Sequence, residues 1–453
     1  MVSMDDTPDI GVLEKRAAAL VEAARRAGAD AADAVVASAR SLSIQVRDGK
    51  LEENQRAEGD TLGLRVFVGR RQAIVSTSDP ELPSFPALAE RAVAMAKVAP
   101  EDAYAGLADP AELMRTAREL DLHDPSVLSA EALEGKARAA EEAAFAVAGV
   151  TKSGGASAGQ SHDGVVIVTS DGFSGSYVRS TFSLSTTAIA GESGGMQRDY
   201  DYSHRVHCED LDTPEQVGRT AGERAVAALG PRKLETARAP VIFDRRVAST
   251  LVGHLTAAVN GAAIARKTSF LKNRLGQQVF ARSIRIDDDP LRPRGLRSRP
   301  FDDEGVRSRP LWLVTDGVLT SWLLDSTTGR ELGLTTTGHA SRGASSAPSP
   351  SASNVTLAAG ARSPRDMMRS LGRGLLVTQL IGHGANLVTG DYSRGCFGFW
   401  FEDGEVVYPV AEITIAGHLN DMFAALEPAN DLEFKHAVNA PSVYVGEMTV
   451  GGR

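Results

Sequence analysis

Two Asp-Gly pairs, each set between apolar runs, constrain the second half of this chain more than any other feature. They are Asp316–Gly317 in "LWLVTDGVLTSWLLD" and Asp403–Gly404 in "CFGFWFEDGEVVYPV". Asp-Gly between apolar stretches is a strong hairpin signal, because the pair accommodates the positive φ of a tight type I′ turn. The C-terminal half is therefore expected to be largely antiparallel β, with two apolar strands around each pair. It opens on one long helix, "FDRRVASTLVGHLTAAVNGAAIARKTSFL", Phe243 to Leu271, with His254 near its middle. "ASSAPSPSASN" is Ser- and Pro-rich and reads as an exposed loop that orders on contact. Ser363, Pro364 and Asp366 mark the cap, first turn and N3 of a short helix.

The first half alternates helix and strand. Leu13, Ala17, Leu20, Val21 and Ala24 fall at helical spacing and predict an amphipathic helix that stops at Gly28. "DAVVASARSLSIQVRDGKLE" and "TLGLRVFVGRRQAIVSTSD" are β-rich, the second folding back at Gly69–Arg70. Two Ala-rich helices follow, the later one starting at Ser129. "GVVIVTSDG" and "GSYVRSTFSLSTTAIAG" read as strands. Thr213, Pro214 and Gln216 predict a helix start with a full capping box. The polar stretch "PRKLETARAP" is taken as the boundary between an N-terminal α/β-type domain with a mixed sheet, 1–232, and a C-terminal domain, 233–453. The first is divisible at 120. The class is α+β.

Net charge is −9, and the isoelectric point is near 5.6. Phosphate contacts need clustered Lys and Arg, so direct nucleic-acid binding is not expected. Two cysteines, Cys208 and Cys396, are too few for a disulfide framework and suit a reducing compartment. The start "MVSMDDTPDIGVLEK" has acids and no apolar core, so no secretory leader is expected. No window approaches the roughly 18 apolar residues of a membrane span. A soluble, cytoplasmic protein is the expectation.

A zinc-peptidase helix needs two imidazoles one turn apart and a carboxylate that accepts a proton from the bound water. From Arg245 to Ile286 there is no Asp or Glu, and no second His follows His254 at helical spacing. The stretch carries Arg245, Arg246, Arg266, Lys267, Lys272, Arg274, Arg282 and Arg285 instead. It offers neither ligands nor a base, so His254 reads as a packed helix residue. "HRVHC", His204 to Cys208, is the densest ligand cluster. On a strand its histidines face apart and on a helix they share a side, and the sequence leaves both open. "RPRGLRSRP", Arg292 to Pro300, follows the acids Asp287 to Asp289 and reads as a solvated, self-paired loop. "RDYDYSHR" reads as a polar strand edge. The chain has no G-x-S-x-G elbow and no phosphate-binding glycine loop.

Several strings together resemble the TldD/PmbA family, and more closely its PmbA, or TldE, branch. They are "GLRVFVGRRQAIVSTSD", "RKTSFLKNRLGQQVF", "RPFDDEGV", "LVTDGVLTSWLLD", "TGDYSRGCFGFWFEDGEVVYPVAEITIAGHLNDMF" and "APSVYVGEMTVGG". The resemblance covers nearly the whole chain. It implies a cytoplasmic protein from a family once labelled modulators of DNA gyrase. It also implies a heterodimeric metalloprotease of TldD and TldE subunits, associated with maturation of a microcin peptide and degradation of an antitoxin. In TldD the zinc sits on a His-Glu-x-x-x-His helix with a later Cys. The register implied here places those positions near Val252, Gly253, Ala257 and His436, so the family's catalytic residues are absent.

The resulting expectation is a non-catalytic subunit that binds no metal or other cofactor itself. It pairs with a zinc-bearing TldD-type partner and helps bind an unfolded peptide, and without that partner it can self-pair as a homodimer. Edge strands of the C-terminal sheet would take the peptide by β-addition. Arg266, Lys267, Asp391 and Tyr392 are the candidate substrate or partner contacts. Two alternatives stand beside it. One is a metallopeptidase in its own right, with His254, His436 and one of His204, His207 or Cys208 as atypical ligands. The other is a non-proteolytic interaction protein acting on DNA gyrase or a toxin system.

Overall fold

A computed structural model describes residues 7–452. The leader reading rests in part on residues 1–6, which lie outside the described residues. The chain begins with α1 (Ile10–Arg26), capped by Asp9, and its buried residues are the five predicted at helical spacing. Strands β1 (Ala31–Arg47), β2 (Lys50–Val68) and β3 (Arg71–Thr77) follow, then α2 (Phe85–Val98) and α3 (Ala130–Phe145). Ser129 caps α3 as expected. Next come β4 (Val150–Thr169), β5 (Ser174–Ala190), β6 (Gln197–Arg205) and α4 (Pro214–Ala227). Thr213 caps α4 by accepting from Gln216 N, which is half of the predicted box.

These strands form one six-stranded sheet in the order β3-β2-β1-β4-β5-β6. Each of its pairings is antiparallel, so the mixed sheet expected for this half is corrected. Within β1–β3 and from β4 to β5 the reason is local, because tight turns reverse direction; β1 meets β4 antiparallel across the α2–α3 connection. Asp48–Gly49 makes the first of these turns, with φ of 51° and 66°, a third Asp-Gly turn inside a stretch read only as β-rich. Helices cover one face. Ala32, Ala34, Val36, Leu62, Leu64 and Val66 pack there with α1 and α2.

The C-terminal half runs β7 (Ala237–Phe243), α5 (Arg245–Ala258), α6 (Gly261–Ala265), β8 (Ile286–Asp288), β9 (Leu311–Thr315) and β10 (Val318–Leu319). It continues with α7 (Ser326–Glu331), β11 (Ala340–Ser341), β12 (Ser349–Pro350), β13 (Val355–Leu357), α8 (Pro364–Leu371) and β14 (Arg373–Ile381). Last are β15 (Asp391–Glu402), β16 (Glu405–His418), α9 (Leu419–Ala425), β17 (Glu427–Pro428), β18 (Val438–Asn439) and β19 (Val443–Gly451). Both predicted Asp-Gly turns are present, with positive φ at all four residues. After the first, the second strand is only β10, because the chain leaves to bond Leu323 to Val259 and Gly261.

The long helix predicted over Phe243–Leu271 is two. The Asn260 side chain accepts from Ala262 N and donates to Pro350 O, capping α6 and ending α5. One sheet runs β16-β15-β14-β7-β19-β17 and closes through an added β16–β19 pairing at Thr414–Ala416 and Thr449–Gly451. All its pairings are antiparallel except β7 with β14. The closing pairing occupies only Thr414–Ala416 of β16, and the second C-terminal sheet, β10-β9-β8-β13-β18, keeps β10 and β18 as edges. The Ser/Pro-rich stretch is not a free loop. Ser353 and Asn354 are buried, and β12 pairs with β11. Among the described residues no helix is long and apolar enough to cross a membrane.

The uncovered face of the first sheet meets the C-terminal half. Asp33 and Arg65 are directly opposed across β1 and β2. Asp33 accepts from Arg65 and from Arg342 Nη1 (2.7 Å), and all three side chains are at most 2% exposed. Burial alone would raise the Asp33 pKa, but the Arg342 and Arg65 guanidiniums outweigh it and hold it below the usual value. Removing one partner of a buried ion pair strands the other. Asp33→Ala should therefore cost about 3–5 kcal/mol in denaturant unfolding. The carboxyl's pKa is lowered in the folded state, so its contribution is full above the unfolded value of about 4 and is lost as pH falls below it. The stability difference between wild type and variant should shrink in that window.

Candidate functional site

α5 is held by its own sequence. Asp244 caps it, accepting from Arg246 N at 2.9 Å. Val247, Ala248, Leu251, Val252, Leu255 and Ala258 enter the same core as β7, β14 and β19. The two arginines of its first turn are not free charges. Arg246 makes two bonds to Asp199 of β6 (3.1 and 2.5 Å), and Arg245 pairs with Glu433. Asp199 is 3% exposed and also accepts from Gln379 Nε2, so one carboxylate ties β6, α5 and β14 together.

Of the positions that the resemblance aligns with zinc ligands, none on α5 carries a donor. Val252 is a core residue at 3% exposure. Ala257 is exposed and Gly253 half-buried, and a Cβ built on Gly253 would meet nothing within 4 Å. His254 turns elsewhere, its ring edge-on to Tyr392 at 5.9 Å with Nε2 buried and unpartnered. Burial, reinforced by Arg394, lowers its pKa to about 4.

His436 lies across a cleft with a cavity of about 70 Å³, lined by Tyr200, Tyr202, Arg245, Arg246 and Lys435 among others. Its Nδ1 is 3.4 Å from the Tyr202 hydroxyl, and the rings are 5.3 Å apart. Burial, then Arg205 and Lys435, push its pKa down. Asn439 fixes the loop, accepting from Lys435 N and His436 N and donating to His436 O. Across the cleft, Tyr200 and Tyr202 stack along β6 at 6.1 Å, with His204 next at 6.0 Å. β6 is an edge strand, hydrogen-bonded only to β5 within its sheet.

The "HRVHC" geometry is settled: His204 is on β6, whereas His207 lies beyond it and bonds the Asp121 carbonyl at 3.1 Å. Cys208 is held through its N–H by Asp124, and burial raises its thiol pKa. Among the described residues no three His, Cys, Asp or Glu side chains are arranged to hold a metal. The proposed trio of His254, His436 and one of His204, His207 or Cys208 is therefore not assembled, and the residues present do not fit zinc.

The remaining candidates divide. Arg266 and Lys267 are exposed at the end of α6, and Arg266 lines a recess with Asp325 and Glu331. Asp391 is exposed and accepts from Thr389 Oγ1 at 2.6 Å. Tyr392 is corrected to a core residue, 1% exposed against Phe243 and His254. The sequence reading missed Asp199 and undervalued the Tyr-x-Tyr-x-His alternation of β6, which a period of two would have placed on one face.

By NMR, His254 should titrate near 4 rather than near the ordinary 6.5. Because its folded pKa is depressed, the folded state binds fewer protons than the unfolded one between those values, and stability falls as pH drops from about 6.5 toward 4. His254→Phe, which removes the unpaired nitrogen, should leave the protein at least as stable at neutral pH and flatten that pH dependence.

Three segments match successive parts of one family: residues 32–96 match PmbA/TldA metallopeptidase domain 1, 123–229 the central domain, and 236–452 the C-terminal domain. The chain is 39% identical to Metalloprotease PmbA of Escherichia coli O157:H7, over 94% of this chain and 93% of that one. It is 37% identical to the PmbA homolog of Haemophilus influenzae, over 95% and 94%. Its fold matches that of TldE from Thermococcus kodakarensis with a TM-score of 0.86 at 20% identity, covering 96% of this chain and 99% of that one. A suspected modulator of DNA gyrase from Bacteroides thetaiotaomicron matches with a TM-score of 0.89 at 24% identity, over 97% and 99%. By sequence and by architecture, this chain belongs to the PmbA/TldD metallopeptidase family.

Proposed function

We propose that the chain is a non-catalytic, TldE-type subunit that pairs with a zinc-bearing TldD-type subunit in the cytoplasm and helps hold unfolded peptide for cleavage. The observation that carries this reading is the open face of α5. A Cβ on Gly253 would meet nothing within 4 Å and Ala257 is exposed, neither carries a ligand atom, and the helix itself is intact and well packed. A working zinc site needs at least three protein ligands and a base. Here the fold of the site persists without them, which suits a chain kept for shape and binding.

Peptide is held beside β6, where Tyr200 and Tyr202 line the cleft. The Tyr200 N–H and the Tyr200 and His204 carbonyls are already bonded to the Asp199, Arg224 and Arg205 side chains, so the peptide meets the side chains of β6 more than its backbone. The Tyr200 and Tyr202 rings supply apolar surface beside it.

The decisive experiment mixes an unfolded peptide with this chain, with a TldD-type partner, and with both. Cleavage is expected to require the partner and to be fastest with both chains. Cleavage by this chain alone, abolished by a chelator, would overturn the reading. Tyr202→Ala should weaken peptide binding to the assembled pair by roughly tenfold, the usual effect of removing a buried aromatic anchor, as measured by fluorescence anisotropy.

A further inference from the structure

The basic run Arg292–Pro300 is not the self-paired loop expected from sequence. Arg292 donates to Thr356 Oγ1 at 2.7 Å and lies over the Phe434 ring. Arg294 pairs with Asp121, Glu209 and Asp210. Arg297 and Arg299 instead line a recess of about 360 Å³ between the two halves of the chain. Arg179 of β5, Asp303, Ser341 and Ser351 line it with them.

The charges there do not balance. Arg299 is buried, donates to Ala340 O at 2.8 Å and has Asp303 at 3.7 Å. Arg179 donates to Ser298 O at 2.8 Å, and neither it nor Arg297 has a carboxylate within ion-pair distance among the described residues. Asp163 acts on Arg179 only at longer range. Nε of Arg179 is sealed from solvent and has no hydrogen-bond partner.

We propose that this recess binds the phosphate group of a small molecule. Two unmatched guanidiniums suit a phosphate monoester, which carries about −1.5 to −2 at neutral pH, better than a single carboxylate. The planar donor fork of arginine matches the oxygens of such a group. The Ser341 and Ser351 hydroxyls add neutral donors. A bare phosphate would leave much of the 360 Å³ empty, so the remaining space takes a compact organic part. The bound group would bridge β5 to the Arg297–Asp303 segment and β11.

Isothermal titration calorimetry on the full chain tests this with glycerol 3-phosphate, inorganic phosphate and acetate at fixed ionic strength. Saturable single-site binding of glycerol 3-phosphate is expected, weaker binding of inorganic phosphate and none of acetate. Equal binding of inorganic phosphate would uphold the site with the free ion as its ligand. Arg297→Gln, at an exposed rim position, should weaken binding by roughly tenfold, whereas Arg365→Gln on a distant exposed ion pair should not change it. Arg179→Gln is the second variant, with its folding checked by circular dichroism. Absence of saturable binding of either phosphate up to about 10 mM, or unchanged affinity in Arg297→Gln, would overturn the proposal.

Discussion

One carboxylate, Asp33, receives guanidiniums from both halves of the chain, and the placement of those halves depends on it. Arg65 reaches it across the sheet and Arg342 from the C-terminal half. Each of the three charges is out of water, so each needs the others. Such a contact tolerates little displacement, because separating the partners leaves a buried charge unpaired. Glu304, 3.7 Å from Arg65, extends it, and its second oxygen accepts from Ser326 N at 2.8 Å to hold the start of α7. Gly63 lies on the same sheet face, where a Cβ would overlap the Ala344 carbonyl. Charge and close backbone approach together lock the face.

With that face fixed, β6 comes to lie beside the first turn of α5. Asp199 completes the contact through Arg246, so the cleft is braced by a second buried carboxylate that is distinct from the first. The positive charge that the sequence assigns to the start of α5 is thereby matched by acids from far along the chain. What the cleft presents is aromatic and hydrogen-bonding surface, on a helix that offers it no ligand. The proposed binding role follows from that composition.

Much of the fold was legible because its signals are local. The α1 stripe, the caps Ser129, Thr213 and Ser363, and the Asp-Gly turns need only neighbours a few residues away. The errors arose where distant partners decide. Asn260 splits the long helix because Pro350 lies against it, 90 residues on. Tyr392 looked available in a polar string but is buried by Phe243 and His254. That no second His follows His254 at helical spacing, and that no carboxylate lies nearby, was visible from the sequence; the register of the zinc positions came from the resemblance. Asp199 was not, since nothing in "RDYDYSHR" distinguishes the buried acid from Asp201 two residues later.

The closed C-terminal sheet also bears on how the chain assembles. β7 lies between β14 and β19, and its pairing with β19 joins Phe243 to Val443 across about two hundred residues. A ring closed by contacts so distant in sequence forms late, because the entropy of closing the intervening loop is spent before the pairing returns anything. The first sheet is two runs of sequential strands, β1–β3 and β4–β6, joined where β1 meets β4 across the α2–α3 connection, a shorter closure than that of β7 with β19. A ribosome-bound chain thus holds a finished N-terminal layer while β7 and α5 wait, apolar faces uncovered, for β19 to emerge. The interval in which this protein most needs shielding from aggregation is set by the length of chain between those two strands.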